Sequence, residues 1–142
     1  MKDFEKILNY RMNSEHLSTS GQPTEREIHL LKEAGFKTII NIRPENEMFY
    51  VFDEKQIVEN LGMNYLQIPM TFETLDANIM SKIFQQIELQ QHIKTLIHCH
   101  HNIRVSVLFA LYRIIKLEWT REEAFSELGK MMEINSMLKD YL

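Results

Sequence analysis

The stretch Thr95-Leu96-Ile97-His98-Cys99-His100-His101-Asn102-Ile103-Arg104-Val105-Ser106-Val107-Leu108-Phe109-Ala110-Leu111 decides how the whole chain reads. Thr95 to His98 has the short, mostly apolar character of a buried strand. From Val105 to Leu117 the chain is apolar on nearly every side, through Val107, Leu108, Phe109, Ala110, Leu111, Ile114 and Ile115. A helix of that kind is expected to be central and buried all round. Between strand and helix lies a short loop that begins with the only cysteine of the chain. A strand feeding straight into a helix N-terminus belongs to an α/β fold, where ligands gather at the carboxyl ends of the strands.

Working outward, the same alternation repeats. Thr24-Glu25-Arg26-Glu27 is a capping box, with Ile28, Leu31 and Ala34 at helical spacing behind it and Gly35 placed to end the helix. Thr38-Ile39-Ile40-Asn41-Ile42 is β-branched and is stopped by Arg43-Pro44, so it reads as a strand. A short helix through Ile57, Val58 and Leu61 follows, closed by Gly62, and Tyr65-Leu66-Gln67-Ile68-Pro69 is another strand. Leu75 to Gln90 carries Ile79, Met80, Ile83, Phe84 and Ile87 on one helical face. Thr120-Arg121-Glu122-Glu123 is a second capping box, opening a helix through Ala124, Phe125, Leu128, Met131 and Met132. Strands alternating with helices predict a central, mostly parallel sheet flanked by helices.

Composition sets the bounds. The chain has 142 residues, the size of one domain, and residues 1–142 read as a single unit with no linker or repeat. A formal charge of −4 argues against a nucleic-acid partner. No run reaches the ~18 apolar residues of a membrane span, so no membrane partner is expected. One cysteine and no leader-like N-terminus suit a reducing cytoplasm. The lone cysteine also excludes an intrachain disulfide and a multi-cysteine zinc ribbon. The four glycines stand far apart, so no glycine-rich nucleotide loop is present, and neither a metal nor another cofactor is expected.

The loop itself carries chemistry. The first N–H groups of a helix lack intrahelical partners and bind anions, helped by the macrodipole. A thiol at that place loses its proton more readily, and the thiolate is the nucleophile. Arg104 adds a planar, permanently charged fork that matches two oxygens of a phosphate. Nucleophile, amides and fork together suit attack on a phosphate ester through a cysteinyl-phosphate intermediate.

His98-Cys99, four residues and then Arg104 resembles the signature loop of cysteine-dependent protein tyrosine and dual-specificity phosphatases, in the shorter-loop form of a bacterial branch. That branch includes the phosphatase-like domains also found fused to β-lactamase-type hydrolases. Ser20-Gly21-Gln22-Pro23-Thr24, the run Gly35-Phe36 to Asn41-Ile42-Arg43-Pro44, the Ile68-Pro69 strand end and Asn102-Ile103-Arg104-Val105-Ser106 all fit the branch. The resemblance spans about residues 17 to 135 and implies the three-layer sandwich of the cysteine phosphatases. It implies Cys99 as nucleophile and Arg104 as anion clamp. The phosphate-binding set comprises His98, His100, His101, Asn102, Ile103, Val105 and Ser106, with His98 orienting the backbone and supporting the thiolate. Arg43 either faces the anionic substrate or is a structural polar group near the sheet end.

Three departures from the family pattern shape further expectations. The loop has no glycine, and Asn102 is its residue best able to take a positive φ. His100 and His101 stand where small residues are usual, and either crowd the anion or lend it charge at mildly acid pH. Val105 replaces a hydroxyl residue that helps break the phosphocysteine, which leaves Ser106 as the nearest hydroxyl. Related enzymes carry a leaving-group acid on the loop after the preceding strand. Met70-Thr71 occupies its place here, and Glu73 and Asp76 are the remaining acids, Asp76 also being suited to the first turn of a helix.

The leading expectation is a phosphatase acting on a phosphorylated protein or a small-molecule phosphate. Two alternatives stay open. One is a rhodanese-like sulfurtransferase working through a Cys99 persulfide and an external acceptor. The other is a catalytically weak phosphate-binding module.

Overall fold

Ile39 and Ile40 are both fully buried, yet they enter different cores, and so do Leu96 and Ile97. Successive strand residues face opposite sides of a sheet, so this pattern means that both faces are covered. The computed structural model describes residues 2–134. Its sheet has five strands, β1 (Arg11–Met12), β2 (Leu17–Ser20), β3 (Thr38–Asn41), β4 (Asn64–Gln67) and β5 (Thr95–His98), in the order β1-β2-β5-β3-β4. Only β1 runs antiparallel to its neighbour. The helices are α1 (Glu25–Glu33), α2 (Glu54–Asn60), α3 (Ala77–Leu89), α4 (Ile103–Lys116) and α5 (Arg121–Ile134), with a short 3-10 turn at Asp3–Lys6.

One core joins the sheet to α3 and α4 through Ile40, Ile97, Ile83, Phe84, Leu108 and Phe109. The other joins it to α1 and α2 through Ile39, Leu96, Ile28, Leu31 and Val58. This is the expected three-layer α/β arrangement. Both capping boxes form. The Thr24 hydroxyl accepts from Glu27 N at 3.1 Å while the Glu27 carboxylate accepts from Thr24 N at 2.9 Å. Thr120 and Glu123 exchange the same bonds at the start of α5. Gly35 takes φ +93° just past α1.

Two expectations change. Helix α4 is not buried all round, because Ile115 is 52% and Leu117 49% exposed at its last turn. Neither residue joins the core that holds Val105, Leu108, Phe109 and Tyr112, so their side chains meet solvent. In α5, Ala124 is buried but Phe125 is 52% exposed, so helical spacing alone overstated that face; the side chains of Met131 and Met132 lie outside the described set. A third finding is β2, which Leu17-Ser18-Thr19-Ser20 does not announce by alternation. All four residues are buried beside β5. The polar ones are satisfied: Ser18 Oγ pairs with the Tyr10 hydroxyl at 2.7 Å, Thr19 Oγ1 accepts from Asn13 and Asn102, and Ser20 Oγ donates to Gly21 O. Hydrogen bonding makes burial of these groups tolerable.

Candidate active site

Strand β5 is flanked by β2 and β3, with Ser20 and Asn41 both in register with His98. The carboxyl ends of three strands therefore meet where the chain leaves the sheet. Cys99 follows at once and is 1% exposed. The loop carbonyls are tied to donors outside it. His98 O accepts from Ile42 N at 3.0 Å, His100 O from Gln22 N at 2.9 Å, and His101 O from Asn9 Nδ2 at 2.9 Å. Asn102 caps α4 in the left-handed region, at φ +67°, as its place in a glycine-free loop predicted. Its side chain donates to Asn9 O at 2.8 Å and Thr19 Oγ1 at 3.1 Å, and accepts from Ser106 Oγ at 3.0 Å. Fixing the carbonyls this way leaves the first N–H groups of α4 for an anion.

A pocket of about 380 Å³ opens above the loop. Cys99, His100, His101, Ile103 and Arg104 form one side of it, and Glu47, Thr71, Phe72 and Glu73 form the other. Arg104 reaches across from the first turn of α4. One guanidinium arm donates to Met70 O at 3.0 Å and the other to Glu47 Oε1 at 2.8 Å. That same Glu47 oxygen lies 3.3 Å from Arg43 Nε and 3.6 Å from His100 Nδ1. A carboxylate thus sits where Arg104, Arg43 and His100 converge.

The expected site residues separate into two groups. Cys99, Arg104, His100, His101, Ile103 and Glu73 line the pocket. The others serve the scaffold around it. Arg43 is fully buried, and its guanidinium donates to Gln22 Oε1, Met48 O, Phe49 O and Glu47, so it builds the loop after β3 and meets the pocket lining at Glu47. His98 is fully buried, with Nε2 2.6 Å from Glu54 Oε2 and Nδ1 3.2 Å from Cys99 O. Val105 packs in the core, and Ser106 is bound to Asn102. Asp76 is the N-cap of α3, accepting from Ile79 N at 2.9 Å. Glu73 sits in a turn closed by reciprocal Thr71–Thr74 hydrogen bonds, which points the acid-bearing segment at the pocket.

His100 and His101 stack at 4.0 Å between ring centroids. Burial lowers the pKa of both, and the Arg43 and Arg104 charges add to that against the opposing pull of Glu47; for His100 the neighbouring His101 also contributes. Two residues escaped the sequence reading. Glu47 is one acid among several in the segment after Pro44, and no local spacing separates it from Glu45. Its only signal is the need of Arg43 and Arg104 for a counter-charge. Glu54 opens an amphipathic helix and looks like an exposed first-turn acid, but it is fully buried. Among the described residues no group of three or more His, Cys, Asp or Glu side chains is arranged to hold a metal. No helix among them is long and apolar enough to cross a membrane.

Comparison with known proteins agrees with this geometry. A β-lactamase hydrolase-like protein of Xylella fastidiosa is 28% identical over 114 residues, 78% of this chain and 26% of its own. The dual specificity protein phosphatase TpbA of Pseudomonas aeruginosa is 26% identical over 121 residues, 84% of this chain and 52% of its own. The chain therefore spans about half the length, or less, of these curated relatives. A DUF442 protein from Shewanella putrefaciens has the same fold, with TM-score 0.77 at 22% identity, covering 92% of this chain and 95% of that one. TpbA solved in complex with phosphotyrosine gives TM-score 0.72 at 20% identity, covering 85% and 72%. The family model described as "DSP-PTPase phosphatase fused to NAD+ Kinase" matches residues 5–140, nearly the whole chain, and the chain belongs to this family of dual-specificity and protein tyrosine phosphatase-like proteins.

Proposed function

We propose that this chain is a cysteine-dependent phosphatase domain that hydrolyses phosphomonoesters. The observation that carries the proposal is the meeting of Cys99 and Arg104 in one pocket at a strand–loop–helix junction. The Cys99 thiolate attacks phosphorus in line, and the bond to the leaving oxygen breaks. The α4 N-terminus and Arg104 hold the non-bridging oxygens as their charge redistributes. Water then attacks the phosphocysteine, releasing phosphate and returning the thiolate. Glu73 is the proposed proton donor to the leaving oxygen, since it lines the pocket while Asp76 is engaged in capping α3. An exposed acid of this kind favours phenolic leaving groups over alkoxides. Phosphotyrosine, the ligand in the TpbA complex, is the first substrate to try, with small-molecule phosphates next. A reducing cytoplasm suits an enzyme that depends on one free thiol.

The test runs an aryl phosphate beside thiosulfate and cyanide, with Cys99→Ser and Arg104→Ala as controls. Phosphate release lost in both variants is expected. Removing a donor that holds the transition-state charge costs about 10²–10³ in rate, so Arg104→Ala falls at least that far. Thiocyanate formation without phosphate release overturns the proposal in favour of a sulfurtransferase. Vanadate binding with neither activity leaves a phosphate-binding module.

A further inference from the structure

We propose that the mouth of the pocket is a docking surface for an apolar protein segment that carries lysine or arginine beside a phosphorylated tyrosine. The proposal rests on the phosphatase reading and names the substrate class that the site serves. Two loops bound the mouth, residues 44–53 after β3 and residues 70–76 after β4. Glu47 from the first and Thr71, Phe72 and Glu73 from the second line the pocket. Both loops expose large apolar side chains: Met48, Phe49 and Phe52 are 74–77% exposed and Phe72 is 47% exposed. Single apolar residues on a surface are ordinary. Here three fall within five positions, directly after a pocket residue, and a fourth stands on the pocket wall itself. Apolar surface concentrated in this way marks a contact site, and aromatic side chains carry much of the energy of such contacts. The backbone fixes the display. The buried Arg43 donates from Nη2 to Met48 O at 2.8 Å and from Nη1 to Phe49 O at 3.4 Å. Phe49 is held at φ +62°, in the left-handed region that a bulky side chain rarely enters. Tyr50 covers the Arg43 guanidinium, 5.9 Å from its ring centroid, and Phe52 packs edge-on against Tyr50 at 5.0 Å. A strained backbone persists only where its neighbours over-determine it, and such places cluster at ligand clamps.

Charge selects the partner. The two loops contain five carboxylates, Glu45, Glu47, Asp53, Glu73 and Asp76, and no lysine or arginine. Glu47 is matched by Arg104 and Arg43, and Asp76 caps α3. Glu45, Asp53 and Glu73 are exposed, and among the described residues none of the three forms an ion pair. The lining of the pocket holds one arginine, Arg104, and no lysine. The floor therefore suits one phosphate, and the mouth around it carries unmatched negative charge. A phosphate flanked by acids is repelled there, and a compact polyphosphate brings its extra charges against the same carboxylates. A phosphate flanked by lysine or arginine sets each charge opposite its complement. An apolar residue beside those cations covers the exposed rings, so one segment satisfies the floor, the acids and the patch together.

The test uses the full chain and phosphotyrosine peptides of equal length and apolar content, in which the residues beside the tyrosine are lysine, serine or glutamate. p-Nitrophenyl phosphate and inositol hexakisphosphate are run alongside. At low salt the lysine peptide is expected to exceed the glutamate peptide roughly tenfold in kcat/KM, the scale of one or two surface charge contacts turned from repulsion to attraction. The gap closes as salt rises. Glu45→Lys is expected to narrow it. Phe49→Asn removes the ring but supplies a residue at ease in the left-handed region. Its ratio of peptide to p-nitrophenyl phosphate efficiency is expected to fall several-fold, mainly through KM. Equal or reversed preference in the wild type overturns the proposal, and that comparison needs no variant. So does hexakisphosphate turned over faster than either peptide, a folded Phe49→Asn with an unchanged ratio, or a dimer that Phe49→Asn disperses, since a second copy then covers the patch. Titration of labelled peptides with Cys99→Ser reads the surface without turnover. Tighter binding of the lysine peptide, with no phosphate released from any substrate by the wild type, refutes the phosphatase reading and leaves the docking surface supported. Equal binding of the lysine and glutamate peptides overturns the docking surface even where phosphate is released.

Discussion

Glu47→Gln isolates the most unusual feature of the pocket, a carboxylate beside the cations proposed to hold the anion. Glu47 Oε1 accepts from Arg104 Nη2 at 2.8 Å, with Arg43 Nε at 3.3 Å and His100 Nδ1 at 3.6 Å. Glutamine has the same shape and still offers an oxygen to Arg104, but it removes a unit charge. A phosphate seated on the Arg104 fork would lie about 6 Å from that charge. At an effective dielectric of about 40, suited to a half-open site, a dianion there meets about 3 kcal/mol of repulsion and a monoanion about half that. The Glu47 side chain is 21% exposed and two other cations share it, so part of this is screened. The expected gain for Glu47→Gln is about 1–2 kcal/mol, or roughly 5- to 30-fold tighter phosphate binding. Calorimetry with inorganic phosphate at low salt measures it, and the advantage shrinks as salt rises. Unchanged or weaker binding by a variant of normal thermal stability refutes the reasoning. In that case Glu47 serves mainly to orient Arg104, and its charge costs the anion nothing.

Three further outcomes follow from the same geometry. Asn102→Ala forces a Cβ-bearing residue without local hydrogen bonds into φ +67° and removes the amide's hydrogen bonds to Asn9 O, Thr19 Oγ1 and Ser106 Oγ. Urea unfolding is expected to show a loss of about 2–5 kcal/mol, with Asn102→Gly about 1 kcal/mol less damaging because it escapes the strain. Gly21→Ala would bring its Cβ to 2.6 Å from His100 O, the same carbonyl that accepts from Gln22 N, so the loop must shift; reduced phosphate affinity without any change in the lining side chains is the expected reading, and an unaltered affinity counts against the loop's rigidity. Finally, His100 and His101 titrate below the ordinary 6.5. The folded chain therefore binds fewer protons than the unfolded one just below that pH, and the stability they contribute is present above it and lost as pH falls. Over the same window the pair gains charge, so binding of sulfate, which does not itself titrate there, is expected to strengthen; a flat sulfate affinity shows that the pair does not face the anion.

The pairing of Cys99 with Arg104 in one pocket was legible because their spacing is local. A buried strand, a short loop and an apolar helix are written in consecutive residues, and the helix N-terminus supplies its own anion site. The positive φ of Asn102 was legible for a related reason: a tight loop without glycine has few residues able to adopt it. Glu47, Glu54 and β2 were not legible. Glu47 lies 57 positions from Arg104, and Glu54 lies 44 from His98. Nothing within either segment distinguishes a buried partner from a solvated acid. Strand β2 is polar by composition and is buried only because β5 lies beside it and Tyr10, Asn13 and Asn102 satisfy its hydroxyls.

By itself the sequence determined the layered α/β plan, the capped helices, and the placing of Cys99 and Arg104 at the end of a strand and the start of a helix. These depend on side-chain period, capping and loop length, all of which act over a few residues. Only the tertiary structure decided which acids enter the site. It turned Asp76 into a cap, set Glu73 and Glu47 on the pocket wall, and buried Glu54 against His98. The reason is physical. A charge takes its role from the cations and the solvent it meets across the fold, and those neighbours are chosen by packing, not by sequence distance.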